Sequence, residues 1–231
     1  MELERIVADL IEKVERRFYG KYRGFVVDKQ DPAKLGRLKV KVPSVLGNDV
    51  VTGWAMPCVP YGGAADQGFL FIPEVGAGVW IEFEEGDLEF PIWTGTFWSQ
   101  PDSGSELPKP NKAADGTEES DVQDPPTSKI VKTLKGHTLQ FEDADGTEMV
   151  LIREGSQGHF ITMDQNGVTV TDASGNTIQT TSSGIKLTDA TGNTIDMSSS
   201  AFTVTALVPF KIDASGQAVT IIGDTIDLQK A

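Results

Sequence analysis

The sequence predicts a mainly β protein: a short N-terminal helix, a small closed β-barrel, a linker, and a rod of stacked strands shared between three chains. Three observations carry this prediction. Residues 167–178 and 184–195 are near copies offset by 17, Gly-Val-Thr-Val-Thr-Asp-Ala-Ser-Gly-Asn-Thr-Ile and Gly-Ile-Lys-Leu-Thr-Asp-Ala-Thr-Gly-Asn-Thr-Ile. Such short alternating runs, punctuated by Gly-Asn turns, bury an apolar face only against copies of themselves. Ahead of them, about six short β-rich runs broken by Gly and Pro crowd between residues 22 and 98, the pattern of a small closed barrel. Between the two regions the hydrophobic periodicity lapses.

Residues 1–20 form the first section. Leu3, Val7, Leu10 and Val14 recur at spacings of four, three and four, an apolar helical seam, and Gly20 ends it. So short a helix is marginal alone and must dock on its own domain, on symmetry mates or on another component.

Residues 21–98 form the second. Residues 23–27 and 37–42 alternate or run apolar, with Asp31-Pro32 and Leu35-Gly36 between them as a hairpin turn. The runs 53–57, 68–72, 79–83 and 90–94 follow. All four tryptophans, Trp54, Trp80, Trp93 and Trp98, fall in this section, where packing is their default role.

Residues 99–128 are rich in Pro, Ser, Asp and Glu and read as an extended linker. The acids between Asp115 and Asp124 lack the turn glycine and bidentate Glu of a calcium loop, so they read as solvated charge. Residues 129–231 hold Thr, Ser, Gly and Asp between β-branched residues, without Trp or Tyr. One chain has too little apolar surface there to close a core. Two or three intertwined chains sharing an axis would solve that problem, most naturally with threefold symmetry.

Composition narrows the function. The single cysteine, Cys58, excludes an intrachain disulfide framework and suits a reducing compartment of assembly. No stretch of 18 apolar residues exists, and the charged N-terminus does not read as a signal peptide. Net charge is −14, and residues 42–98 contain no Lys or Arg against 8 carboxylates. Nucleic-acid binding there would lack the cations that release counterions.

Catalytic readings find little support. His137 beside Glu142 or Asp143 is a formal acid–base pair and Cys58 with a histidine a formal dyad, but neither has a supporting pattern. Cys58, between Pro57 and Val59, reads as a small buried hydrophobe. Glu84, Glu85, Asp87 and Glu89 occupy a turn, where solvated acids are the ordinary outcome. No catalytic residue, cofactor or metal site is expected.

Two ordered stretches carry a family resemblance. Ile72-Pro-Glu-Val-Gly-Ala-Gly-Val-Trp-Ile-Glu-Phe83 followed by Gly86-Asp-Leu-Glu-Phe-Pro-Ile-Trp-Thr-Gly95 resembles the oligosaccharide/oligonucleotide-binding (OB) domain of baseplate spike proteins in contractile phage tails, shared by the VgrG spikes of type VI secretion. Gly136-His-Thr-Leu-Gln-Phe-Glu-Asp143 resembles the segment where those proteins enter their β-helical needle. The resemblance implies an OB-fold barrel followed by an intertwined trimeric β-helix spike. Gly76, Gly86 and Gly95 would permit tight turns of the barrel, and Pro73 and Pro91 would start strands. Gly175-Asn176 and Gly192-Asn193 would turn the needle strands, and Ile226 and Leu228 would lie at the tip.

It also implies a homotrimer assembled in the cytoplasm into a phage virion or contractile injection particle, driven through a target cell envelope when a sheath contracts. Only about 20 residues precede the OB segment, so a separate baseplate hub protein is expected at that end. Neither His137 nor His159 matches the His-x-His iron tip of several spikes, which points to a blunt tip capped by a PAAR-like protein. The competing reading is an OB-fold module binding carbohydrate or another ligand on an oligomeric β-repeat stalk.

Overall fold

The computed structural model describes residues 3, 5–7, 10, 11, 17–102 and 104–229. The chain forms two units, Met1–Leu107 and Pro108–Ala231. Both are built mainly from strands, as the alternation predicts.

Of the expected N-terminal helix, residues 3, 5–7, 10 and 11 are helical, and Leu3, Val7 and Leu10 of its seam are exposed. Val14 lies outside the described residues. The helix does not reach residue 18, because Phe18 instead donates its N–H to the Gly86 carbonyl at 2.8 Å and packs against Tyr22 and Phe83.

The first unit holds β1 (Tyr22–Asp28), β2 (Lys39–Lys41), a single helical turn at Pro43–Leu46, β3 (Met56–Pro57), β4 (Gly78–Phe83) and β5 (Pro91–Phe97). The sheet order is β2-β1-β4-β5-β3. Bridges from Leu38 to Ala55 and from Lys41 to Val51 bring the β3 end back to β2 and close the barrel. Alternation builds its core: Val79, Ile81 and Phe83 of β4 point inward with Val26, Leu38, Val40, Val42, Ala55 and Trp93. Outward, Trp80 lies against Phe97 and under the Arg23 guanidinium. Gly24 is required where β1 crosses this core, since a Cβ would stand 2.9 Å from the Ile81 side chain and 3.1 Å from the Lys41 carbonyl.

The barrel has five strands, because the apolar run at residues 68–72 forms a loop. Phe69 donates its N–H to the Tyr61 carbonyl, and Phe69, Leu70 and Phe71 are exposed. Ile81 is fully buried, so Ile81→Ala should remove about 3 kcal/mol of stability. Chemical denaturation should show a matching fall in the first unit's unfolding midpoint.

The second unit holds β6 (Ser128–Lys132), β7 (Thr138–Glu142), β8 (Met149–Arg153), β9 (Phe160–Asp164), β10 (Gly167–Thr171), β11 (Thr177–Thr181), β12 (Gly184–Thr188), β13 (Thr194–Ser198) and β14 (Phe202–Thr205). They form one antiparallel sheet in chain order. The period of the sequence repeat is explained by its parts: strand β10, the turn at 172–176, strand β11 and the tight turn at 182–183 bring the chain to Gly184.

Of the segment expected to be linker, the part from Pro108 onward belongs to this second unit. The Asn111 N–H donates to Gln140 Oε1 at 2.6 Å, and Gln140 Nε2 donates back to the Asn111 carbonyl at 3.2 Å. Gly116 lies against the Phe160 ring. This segment shields one face of β7 to β9, where Gln140, Met149, Leu151, Phe160 and Thr162 are buried. After Thr205 no described residue lies in a strand.

Candidate functional site

The most distinctive surface of the second unit is the other face of its sheet. Strand pairing places Val131, Leu139, Ile152, Ile161, Val170, Ile178, Leu187, Ile195 and Val204 in one cross-strand row. Every strand of the sheet contributes an apolar residue to it. A second row on the same face runs through Phe141, Val150, Met163, Val168, Thr180, Ile185, Met197 and Phe202. Facing residues in such rows lie about 5 Å apart. Much of this surface is uncovered in the single chain: Val131, Ile152, Ile178 and Val204 are each 45 % exposed or more.

From β10 to β14 the opposite face is polar, whereas on β7 to β9 it carries Met149, Leu151 and Phe160 under the segment that follows Pro108. Thr171, Thr177, Thr188, Thr194 and Thr205 stand opposite one another on successive strands. A sheet with one polar and one apolar face requires a second layer on the apolar side.

The turns along one edge share a device. Asp172 Oδ1 accepts the N–H groups of Ser174 and Asn176, and Asn176 Nδ2 donates to Asp172 Oδ2 at 2.6 Å. Asp189, Thr191 and Asn193 repeat the arrangement. Gly175 and Gly192 sit at φ +91° and +93° in these turns, the left-handed region that glycine adopts without strain. Each turn is also tied to the next, since Asn176 Oδ1 accepts the Ala190 N–H at 2.9 Å and Asn193 Oδ1 accepts the Leu207 N–H at 2.7 Å.

Both histidines belong to this ladder. His159 Nδ1 accepts the Ala173 N–H and His137 Nδ1 the Gly155 N–H, each at 3.1 Å. His159 precedes Asn176 by the same interval that separates Asn176 from Asn193, a periodic signal that the sequence reading left unused. Gly167 and Gly184, which open the two copies, have a steric role that the repeat alone did not show. A Cβ at Gly167 would lie 1.9 Å from the Thr180 carbonyl oxygen, and one at Gly184 would lie 2.0 Å from that of Met197.

The barrel residues singled out from sequence are dispersed. Gly76, at φ +91°, donates its N–H to the Val26 carbonyl in the turn before β4. Gly86 is approached closely by Arg17, Phe18 and Tyr19. Pro91 is the first residue of β5, Gly95 sits at φ +146° within it, and Pro73 lies in the loop ahead of β4. Ile226 and Leu228 are exposed in the irregular C-terminal residues.

The two carboxylates weighed as acid–base partners of His137 are engaged by other groups. Asp143 pairs with Lys129, while Glu142 is occupied by the Thr127 and Ser128 hydroxyls, the Gln123 amide and the Ala144 N–H. Cys58 is exposed rather than buried, because the barrel core is already filled and only its backbone is engaged, by the Trp93 carbonyl. Among the described residues no group of three His, Cys, Asp or Glu side chains is placed to hold a metal ion. On the barrel surface Arg37 pairs with Asp31, and both Arg37 and Lys39 lie over Trp54.

Several carboxylates bind protons less readily here than in an unfolded chain. Burial pushes the Glu142 pKa up, but its hydrogen bonds outweigh this and hold it at about 2, against an ordinary 4.5. N–H donors from Gln157 and Ser156 bring Glu154 to about 2, and the Asn193 and Thr191 side chains bring Asp189 to about 2. Since the folded values are depressed, this stabilisation is complete above the unfolded pKa and is lost as pH falls from about 4.5 to about 2. The unfolding temperature should drop across that window. Glu142→Gln should lower it at neutral pH and shrink the acid-induced drop, as a calorimetric pH series would show.

Comparison with protein families gives two matches. Residues 22–98 match the type VI secretion system/phage-baseplate injector OB domain, and residues 129–183 match the phage baseplate V C-terminal trimerisation domain. No curated protein matches the chain.

Proposed function

Because the chain belongs to the phage-baseplate spike proteins, we propose that it is the trimeric central needle of a contractile injection apparatus or phage tail. The observation that carries this reading is the apolar row spanning all nine strands of the second unit. Three such faces turned toward a common axis bury one another and leave the threonine faces toward water. The result is a stiff object whose backbone ladders share an axial load among many hydrogen bonds. It needs no catalytic group, since the work comes from the contracting sheath.

In this reading the barrels and the exposed seam of Leu3, Val7 and Leu10 seat against a baseplate hub protein. The C-terminal residues, with Ile226 and Leu228, meet a PAAR-like tip protein. The assembled trimer is carried in a virion or injection particle and pierces the target cell envelope.

The deciding experiment is the mass of the purified protein by light scattering, with its resistance to SDS without boiling. The expected mass is three times that of the 24.9 kDa chain, with slow dissociation in SDS. A variant ending at Leu107 should lose both properties and fail to complete a piercing particle. Full-length monomer, or normal piercing by the truncated chain, would overturn the needle and return the barrel to ligand binding on a stalk.

A further inference from the structure

The outer face of the barrel collects charge of the opposite sign to the chain as a whole. Net charge is −14 and residues 42–98 hold no Lys or Arg. Folding nevertheless brings cations beside the aromatic residues of that segment. Leu38, Val40 and Val42 are buried, which turns Lys39 and Lys41 of β2 outward. Phe25 of β1 is the partner of Lys41 on one side and of Gly78 on the other, and Arg23 is the partner of Trp80. The face continues to β5, where the Phe97 ring centroid lies 6.1 Å from that of Phe25.

The aromatic rings hold these cations in place. The Arg23 guanidinium lies 5.7 Å from the Trp80 centroid and 5.5 Å from that of Phe97, and the Lys39 ammonium lies 5.0 Å from that of Trp54. Phe97 can take this position because residue 78 is glycine, where a Cβ would stand 2.6 Å from the ring. Trp54, Trp80 and Phe97 are therefore engaged by cations rather than open to a stacked base or sugar. What the face offers a partner is its cation heads, set around Phe25 and Val27, which are 41 % and 38 % exposed. Among the described residues Arg23, Lys39 and Lys41 form no ion pair with a carboxylate. The matching surface carries carboxylates around an apolar side chain.

The same barrel carries such a surface in the turn between β4 and β5. Glu84, Glu85, Glu89 and Phe90 are exposed there, Phe90 by 58 %. Its backbone is fixed: the Asp87 N–H donates to the Glu84 carbonyl at 2.9 Å, the Phe90 N–H to the Asp87 carbonyl at 3.0 Å, and the Glu84 N–H to the Phe90 carbonyl at 2.9 Å. Glu85 sits at φ +50°, a left-handed conformation that costs energy in a residue other than glycine. Phe25 and Lys41 stand beside Gly78, the first residue of β4, whereas the turn follows Phe83, the last. About 17 Å of strand separates the two, so the turn does not reach them within one barrel. Two different and complementary patches on one subunit make a head-to-tail contact, which a threefold axis closes into a ring.

We propose that the occupant of the cationic face is a second copy of this chain: the acidic turn 84–90 of each barrel docks on β1 and β2 of the next. Phe90 covers Phe25 and Val27, while Glu84, Glu85 and Glu89 meet Arg23, Lys39 and Lys41. Ion pairs at such a surface are individually weak. The contact therefore arranges the barrels head to tail, while the apolar row of the second unit supplies the strength that holds the chains together. The inference rests on the trimeric reading proposed above.

The test uses Val27→Cys and Phe90→Cys in the full-length protein, singly and together, each with Cys58→Ser, treated with a short bismaleimide and run on a denaturing gel. Both sites are exposed and both substitutions leave every charge in place. A head-to-tail contact joins position 27 of one chain to position 90 of the next, so the double variant should give covalent dimer and trimer and each single variant only monomer. Monomer from a double variant that has the mass of three chains overturns the proposal and leaves the trimer intact. Dimer from a single variant means that like patches meet, and overturns it as well. Acetylation of the unaltered protein reads the contact independently. Lys39 and Lys41 should react several-fold more slowly at low than at high ionic strength, because salt screens the pairs that cover them, while the exposed Lys34 reacts equally at both. Equal salt response of the three lysines overturns the proposal. A mass of 24.9 kDa for the unaltered protein overturns the trimeric reading and this inference with it.

Discussion

Gly184→Ala should destabilise the second unit by about 3–5 kcal/mol per chain. Position 184 opens β12 at φ +145°, and an added Cβ would sit 2.0 Å from the Met197 carbonyl oxygen and 3.0 Å from the Ser198 Cα. The atoms in the way are backbone atoms of β13, held in register by the Gly184–Ser198 and Ile185–Met197 pairs. They cannot rotate aside as a side chain would. Relief therefore requires β12 and β13 to separate, which breaks the apolar row between Leu187 and Ile195 and the threonine row between Thr188 and Thr194. In a trimer the strain is repeated three times, so assembly magnifies the loss. Gly175→Ala is the internal control, since that residue has a positive φ of +91° but nothing within 4 Å of its added Cβ. It should cost only about 1–2 kcal/mol. Denaturant titrations at one protein concentration compare the two, because the stability of an oligomer depends on concentration. Equal midpoints for the two variants would contradict the close approach.

The contrast also shows what the sequence made legible and what it did not. Gly175 and Gly192 were identifiable because they stand in a turn signature, Asp-Ala-x-Gly-Asn, whose mechanism is local. Gly184 was visible as the first residue of a repeat, but its necessity comes from the neighbouring strand β13, which the chain reaches only after a further turn. Likewise Val79, Ile81 and Phe83 were readable as one inward face from alternation alone. The continuous run at 68–72 carried no such phase, and a short apolar run does not by itself distinguish a strand from an exposed loop.

Asn111, which forms a buried pair with Gln140, stands 29 residues before it in a polar stretch where no periodicity marks it. That segment therefore read as solvated linker. His159 is an intermediate case. Its spacing to Asn176 matched the repeat, but aligning an imidazole with an amide requires knowing that both serve as hydrogen-bond acceptors at one place in the turn. The turn around His137 departs from the period, so only the folded ladder shows the two histidines to be equivalent.

Ile178→Glu should convert the protein from a trimer to single chains of 24.9 kDa. Ile178 stands in the middle of the apolar row, directly opposite Val170 and Leu187. It is 47 % exposed in the single chain, so the substitution is tolerable there and its penalty appears on association. Closing three chains over this position would lose about 2 kcal/mol of apolar burial per chain and bring three carboxylates together in a dry core, with no cation beside them on β10 or β12 of that face. Unpaired buried charge costs several kcal/mol for each group, and like charges add to that. The summed penalty exceeds what one row of contacts can return. Gln179→Glu makes nearly the same chemical change one residue away but on the opposite face, where Lys186 of β12 stands across from it. Light scattering should show that variant as a trimer. If Ile178→Glu remained trimeric with unchanged resistance to denaturation, the apolar row would not be the surface on which the chains meet. Loss of the trimer in both variants would instead indicate that charge anywhere on the sheet prevents assembly, and the division into an inner apolar and an outer polar face would fall with it.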